Sequence, residues 1–133
     1  LILGGVRLWS AGAYPWQSAM LEAALWAGEH TEPDATIGAF NAGIMGWFSG
    51  RRTLNLDGVV SEPAFAAIRQ RQLLNFIRRQ GVGYIIDMRS SVEETYAPFF
   101  EPGYRDALEP LQRFETPPGS GVWDVLIAYR VKP

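Results

Sequence analysis

The spacing of apolar positions changes period several times along the chain, and each change predicts an element. From Gln17 to about Glu29, the apolar or helix-favouring residues Met20, Leu21, Ala23, Ala24, Leu25, Trp26 and Ala27 predict a first helix. Thr31-Glu32-Pro33-Asp34 ends it, because proline cannot continue the hydrogen-bond ladder and biases its predecessor toward extended backbone. Thr36 to Phe40 follows as a first strand and Arg52 to Leu56 as a second, with a short helix Ala42–Phe48 between them. Asn41 is placed to cap that helix with its side-chain oxygen, Gly50 to end it in the left-handed conformation, and Asp57-Gly58 to turn the chain. Together these residues make one compact β-α-β unit.

Ser61, followed by Glu62 and Pro63, opens a long helical segment. Between Pro63 and Gln80, Phe65, Ile68, Leu73, Phe76 and Ile77 share one side, but Arg69 falls in the same stripe. A buried unpaired guanidinium is costly, so a bend is expected near Arg69-Gln70-Arg71. After Gly81, the apolar run Tyr84–Met88 reads as a third strand covered on both faces. The pattern then loosens. Ser90-Ser91 and Glu93-Glu94 indicate a capped turn to about Tyr96, Pro98 and Pro102-Gly103 break regularity, and Tyr104–Leu108 reads as a short helix. A mobile or partner-facing region is expected there. Leu111–Thr116 and Val122–Val131 form a hairpin across 117–121, its last strand half-buried.

The element order predicts an α/β fold: a small Rossmann-like sandwich with a mixed sheet, three parallel strands plus a C-terminal antiparallel hairpin. Strand order is left open. Residues 1–15, with Trp9, Tyr14 and Pro15 and with Trp16 directly after them, read as a lead-in or linker, packed onto the domain or lying at a membrane interface. Residues 16–133 read as a single domain.

Composition changes this picture little. With 47% hydrophobic and 20% charged residues the chain is globular in character. Its net charge of −2 supplies no reason to bind nucleic acid, although residues 51–89 carry seven Arg against three acids. The absence of cysteine excludes a disulfide scaffold, a thiolate metal site and a Cys nucleophile, and the single His30 lacks the second histidine of a zinc pair. No apolar run reaches the roughly 20 residues that span a bilayer.

No catalytic motif stands out. Gly38-Ala39-Phe40-Asn41-Ala42-Gly43 lies where a dinucleotide fold turns, and Asp57 follows Gly38 by 19 residues, but the G-x-G-x-x-G spacing is missing and Phe40 stands at the second glycine's position. There is no Gly-Lys-Ser/Thr triplet, and Ser49 does not sit in G-x-S-x-G. Asp57, Asp87, Glu93 and Glu94 are the acid–base candidates, without an identifiable partner. Turn capping is the plainer role for Asp57 and a solvated pair for Glu93-Glu94. Arg51 and Arg52, joined by Arg69 and Arg71 if the helix bends, offer guanidinium groups for phosphate, against the plain alternative of solvated arginines.

The succession Ala23-Ala24-Leu25-Trp26, Thr31-Glu32-Pro33-Asp34-Ala35, Ile37 through Arg51, Asn55-Leu56-Asp57-Gly58-Val59-Val60 and Gly83-Tyr84-Ile85-Ile86-Asp87 resembles a known arrangement. It is similar to the C-terminal extracytoplasmic domain of bacterial polytopic membrane proteins related to polyprenyl-phosphate-sugar-dependent, dolichyl-phosphate-mannose-type glycosyltransferases. The resemblance covers about residues 14 to 88 and centres on Ile37–Gly58. It implies a parent protein with many transmembrane helices, whose catalytic acid lies in a membrane-proximal loop outside this chain. The chain itself would then be non-catalytic, without cofactor or metal. It would sit on the periplasmic or extracellular side of the cell membrane against the parent's transmembrane region, helping to bind a lipid-linked sugar or a glycan acceptor. The start without Met and the aromatic lead-in fit a cut just after a last membrane helix. The family transfers no catalytic residue. Asn41, Arg51, Asn55 and Asp57 are the candidates for a ligand-facing edge, because the motif turns at them. The alternatives are a free-standing nucleotide-binding α/β enzyme and a structural assembly module of a membrane protein.

Overall fold

The computed structural model describes residues 14–133; the expectations for the lead-in before Tyr14, Trp9 included, lie outside the described residues. The chain runs α1 (Gln17–His30), β1 (Thr36–Ala39), α2 (Ala42–Phe48), β2 (Arg52–Asn55), α3 (Glu62–Arg69), α4 (Leu73–Arg79), β3 (Val82–Met88), a π-type turn Ser91–Thr95, two short 3-10 turns at Ala97–Phe99 and Tyr104–Ala107, β4 (Leu108–Glu115) and β5 (Val125–Val131). The five strands make one mixed sheet in the order β2-β1-β3-β5-β4. β1 pairs in parallel with β2 and β3, while β5 is antiparallel to both β3 and β4. The expected mixed sheet of three parallel strands and a terminal antiparallel pair is the observed one.

Two layers cover the sheet. On one face α1 packs through Ala19, Ala23, Ala24 and Ala27, small residues that bring the helix close, against Ile37, Ile86 and Ala128. On the other, α3 and α4 bury Ala64, Ala67, Leu73 and Ile77 against Leu56, Ile85 and Ile127. The expected break in the long helix is present: α3 stops at Arg69 and Arg71 takes φ 54°, the left-handed region. Ser61 caps α3, its Oγ accepting from Ala64 N at 3.4 Å. The stripe itself is rotated from expectation. Ala64 and Ala67 face the sheet, while Phe65 stays outside with the Arg69 guanidinium 5.9 Å from its ring centre.

Two further expectations are corrected. The segment after β3 is anchored, because Val92, Phe100 and Tyr104 are all buried in the α3–α4 layer. Glu101 also accepts from Leu74 N and Asn75 N at 2.8 and 2.9 Å, closing the first turn of α4. The last strand is fully buried from Val125 to Tyr129 rather than half-buried. It enters between β3 and β4 instead of lying at an edge, so its alternate residues feed both layers.

The connections set the position of a crevice. From β1 the chain leaves into α2, on the α1 face, whereas β2 returns to β3 through α3 and α4 on the opposite face. The carboxyl ends of β1 and β3 therefore open between diverging connections, which is where open α/β sheets place ligands.

Candidate functional site

Asn41 and Asp87 sit at those two carboxyl ends and are bonded to each other. The Asp87 carboxylate accepts from Asn41 N at 2.7 Å, Asn41 Nδ2 at 2.9 Å and Met88 N at 2.7 Å. Asp87 is 1% exposed. Burial pushes its carboxyl above the ordinary range, and the N–H donors of Asn41 and Met88 pull it back toward the charged form. This pairing overturns the expected helix cap: Asn41 makes no side-chain bond to α2, because its amide is turned to the buried carboxylate. Nδ2 is thereby committed inward, leaving Oδ1 without a partner among the described residues.

At the end of β2, two successive side-chain turns shape the loop. Asn55 Oδ1 accepts from Asp57 N at 3.1 Å, and Asp57 Oδ1 accepts from Val59 N at 2.7 Å. Asp57 thus has the turn role expected of it. Between them Leu56 is fully buried, its N–H donating to Ala39 O at 2.9 Å, which ties the loop to β1. The geometry leaves Asn55 Nδ2 as a donor and Asp57 Oδ2 as an acceptor with no partner among the described residues.

Asn41, Asn55 and Asp57 line one open cleft of about 470 Å³, together with Tyr14, Trp16 and Trp123. The aromatic wall is continuous. Tyr14 and Trp16 lie 5.3 Å apart and Trp16 and Trp123 4.5 Å apart, both edge-to-face. Phe40 also lines the cleft and stacks at 3.9 Å on Tyr96. Burial raises the Tyr96 phenol, and the charges of Asp57 and Asp87 raise it further, so negative potential gathers at this end of the sheet. Next in sequence to lining residues, apolar side chains are exposed: Val59 and Val60 just beyond Asp57 are 82% and 78% exposed, and Val122 beside Trp123 is 72% exposed.

The fourth sequence candidate, Arg51, is not brought to this cleft. It begins β2's approach at the opposite end, where its NH2 donates to Gly28 O at 2.7 Å and Thr31 O at 3.0 Å and its Nε to Thr31 Oγ1 at 3.2 Å. It satisfies carbonyls left open at the end of α1. Arg69 and Arg71 lie on the α3–α4 face, so the four arginines do not converge on a phosphate. Arg51→Met is expected to lower unfolding free energy by about 2 kcal/mol, since a charged donor to carbonyls is lost. Urea unfolding measures it. Glu93 and Glu94 are not a free solvated pair either: Glu93 accepts from Tyr129 OH and Glu94 from Arg89, each at 2.7 Å.

Sequence reasoning missed the aromatic wall and the carboxylate beneath Asn41. Trp16 and Trp123 lie far apart in the chain and meet only because the β4–β5 loop closes over the start of α1; a lone loop tryptophan carries no such signal. No helix among the described residues is long and apolar enough to cross a membrane.

The fold and cleft define a small α/β domain built around an aromatic-walled, polar-floored groove at the carboxyl ends of parallel strands. The chain belongs to a domain family of unknown function, DUF8728, whose model matches residues 6–127. No curated protein and no solved structure matches it.

Proposed function

We propose that this chain is a non-catalytic extracytoplasmic accessory domain of a membrane glycosyltransferase, which binds a glycan acceptor or a lipid-linked donor in the cleft. The observation that carries this reading is the pairing of Tyr14, Trp16 and Trp123 with Asn41, Asn55 and Asp57 around one open groove. A sugar ring has apolar C–H faces and an equatorial fringe of hydroxyls that each donate and accept. Aromatic faces suit the first and planar amide and carboxylate groups the second. The resemblance centred on Ile37–Gly58 supplies the membrane context, and the exposed Val59, Val60 and Val122 suit a surface close to lipid.

In the parent protein, Asp57→Ala removes a charged acceptor from the cleft. Glycosyl transfer is expected to fall about ten- to a hundredfold, since such a bond contributes on the order of 1.5–3 kcal/mol. Transfer is measured in membranes carrying matched amounts of parent and variant, with thermal unfolding of the domain as the folding control. Undiminished transfer by a folded variant would remove the cleft from the reaction.

A further inference from the structure

We infer that the cleft takes an uncharged saccharide unit and excludes phosphate, so that of the two ligand classes it binds the acceptor glycan rather than the phosphate end of a lipid-linked donor. The inference rests on reading the cleft as a glycan site and decides between its two candidate ligands.

Charge carries the argument. Among the described residues that line the cleft none is Arg, Lys or His, and Asp57 is one of them. Arg52 opens β2 beside Thr36 at the amino end of the sheet, away from the cleft, while Arg51 is committed to the end of α1 and Arg89 to Glu94 and Asp124. A phosphate entering here would meet the Asp57 carboxylate with no cation among the described lining residues to offset it.

The turn after β1 reinforces this. In dinucleotide-binding folds the backbone N–H groups of that turn hold pyrophosphate. Here the N–H of Asn41 already donates to Asp87, a carboxylate buried beneath the cleft floor. The protein's own anion occupies the place a phosphate would take. Bulky Phe40, stacked on Tyr96, further blocks close approach to the backbone. What remains open is neutral recognition: the Asn41 Oδ1 and Asp57 Oδ2 acceptors, the Asn55 Nδ2 donor and the indole and phenol rings. That set matches two adjacent hydroxyls above an aromatic face.

The test titrates the chain with methyl glycosides of glucose, mannose, galactose and N-acetylglucosamine, and with the 1-phosphates of the same sugars at matched ionic strength. The indole N–H resonances of Trp16 and Trp123 report binding, assigned with single Trp→Phe variants. At least one methyl glycoside is expected to shift both resonances, and its 1-phosphate to bind about tenfold more weakly through like-charge repulsion. Asp57→Asn is expected to narrow that difference. A 1-phosphate that binds as tightly as its neutral partner, or more tightly, overturns the exclusion of phosphate while leaving the cleft a sugar site. If no sugar of either class shifts the two resonances, the glycan reading of the cleft falls, and this inference with it.

Discussion

Asp87→Ala is expected to lower the unfolding free energy by about 3–5 kcal/mol, because buried donors that lose their acceptor cost roughly 1–3 kcal/mol each. Three N–H groups converge on this carboxylate, and two of them, from Asn41 and Met88, belong to backbone that cannot turn to solvent. Urea unfolding of the two proteins measures the loss. Asp87→Asn keeps the shape and one acceptor oxygen, so its cost is expected to be smaller; it also isolates the titration. Burial raises the folded-state value of Asp87 above its unfolded value. Across the interval between the two, the folded chain binds more protons, so this group's contribution to stability is larger on the acid side and declines as pH rises through that interval. The stability advantage of the natural chain over Asp87→Asn should therefore shrink from the ordinary aspartate range upward. An advantage that grows with pH would mean that the N–H donors outweigh burial and the folded-state value is depressed.

Gly58→Ala is the second large effect, with an expected cost of about 2–4 kcal/mol from left-handed strain and overpacking together. Gly58 has φ 79°, and a Cβ there would stand 2.9 Å from Phe65 Cα and 3.1 Å from Phe65 N, backbone atoms of α3 that cannot rotate away. The turn would have to lift off the helix. Because the bond from Val59 N to Asp57 spans this glycine and Asp57 is in turn bonded to Asn55, the same change should displace the cleft's acid, weakening saccharide binding beyond what lost stability explains. Thermal unfolding and the indole titration read the two effects separately. Gly50, with φ 64° but open space around it, should show the conformational cost alone.

The elements of the fold were legible because their signals are local. Ser61 before Glu62-Pro63 marks a helix start whatever surrounds it, and the nearly continuous apolar run Tyr84–Met88 marks a strand covered on both faces. Even the helix break was readable, since an arginine in an apolar stripe has few solutions; the chain adopts the left-handed backbone at Arg71. Long-range choices were not legible. Imperfect alternation in Val125–Val131 reads as a half-buried strand, whereas insertion between β3 and β4 buries both of its faces.

The site divides in the same way. Asn41, Asn55 and Asp57 were reachable from sequence because strand ends followed by Asn or Asp mark exposed turns. Arg51 follows the same glycine-rich turn, and nothing local says that its guanidinium reaches back across to Gly28 and Thr31. Asp87 was visible as an acid at a strand end, but its role depends on Asn41, 46 residues earlier in the chain. An internal hydrogen-bonded anchor of this kind leaves no spacing pattern.

Placing β5 inside the sheet also orders events in time. A chain emerging from its N-terminus, from a ribosome or through a translocation channel, can pair β1, β2 and β3 while residues 125–131 are still sequestered. Until they appear, β3 presents a bare edge along Tyr84–Met88, an apolar stretch apt to recruit a neighbouring chain. Premature termination near Asp124 would make that transient edge permanent, so truncated products should aggregate rather than persist as smaller folded domains, and nascent chains of this length are natural clients for a holding chaperone.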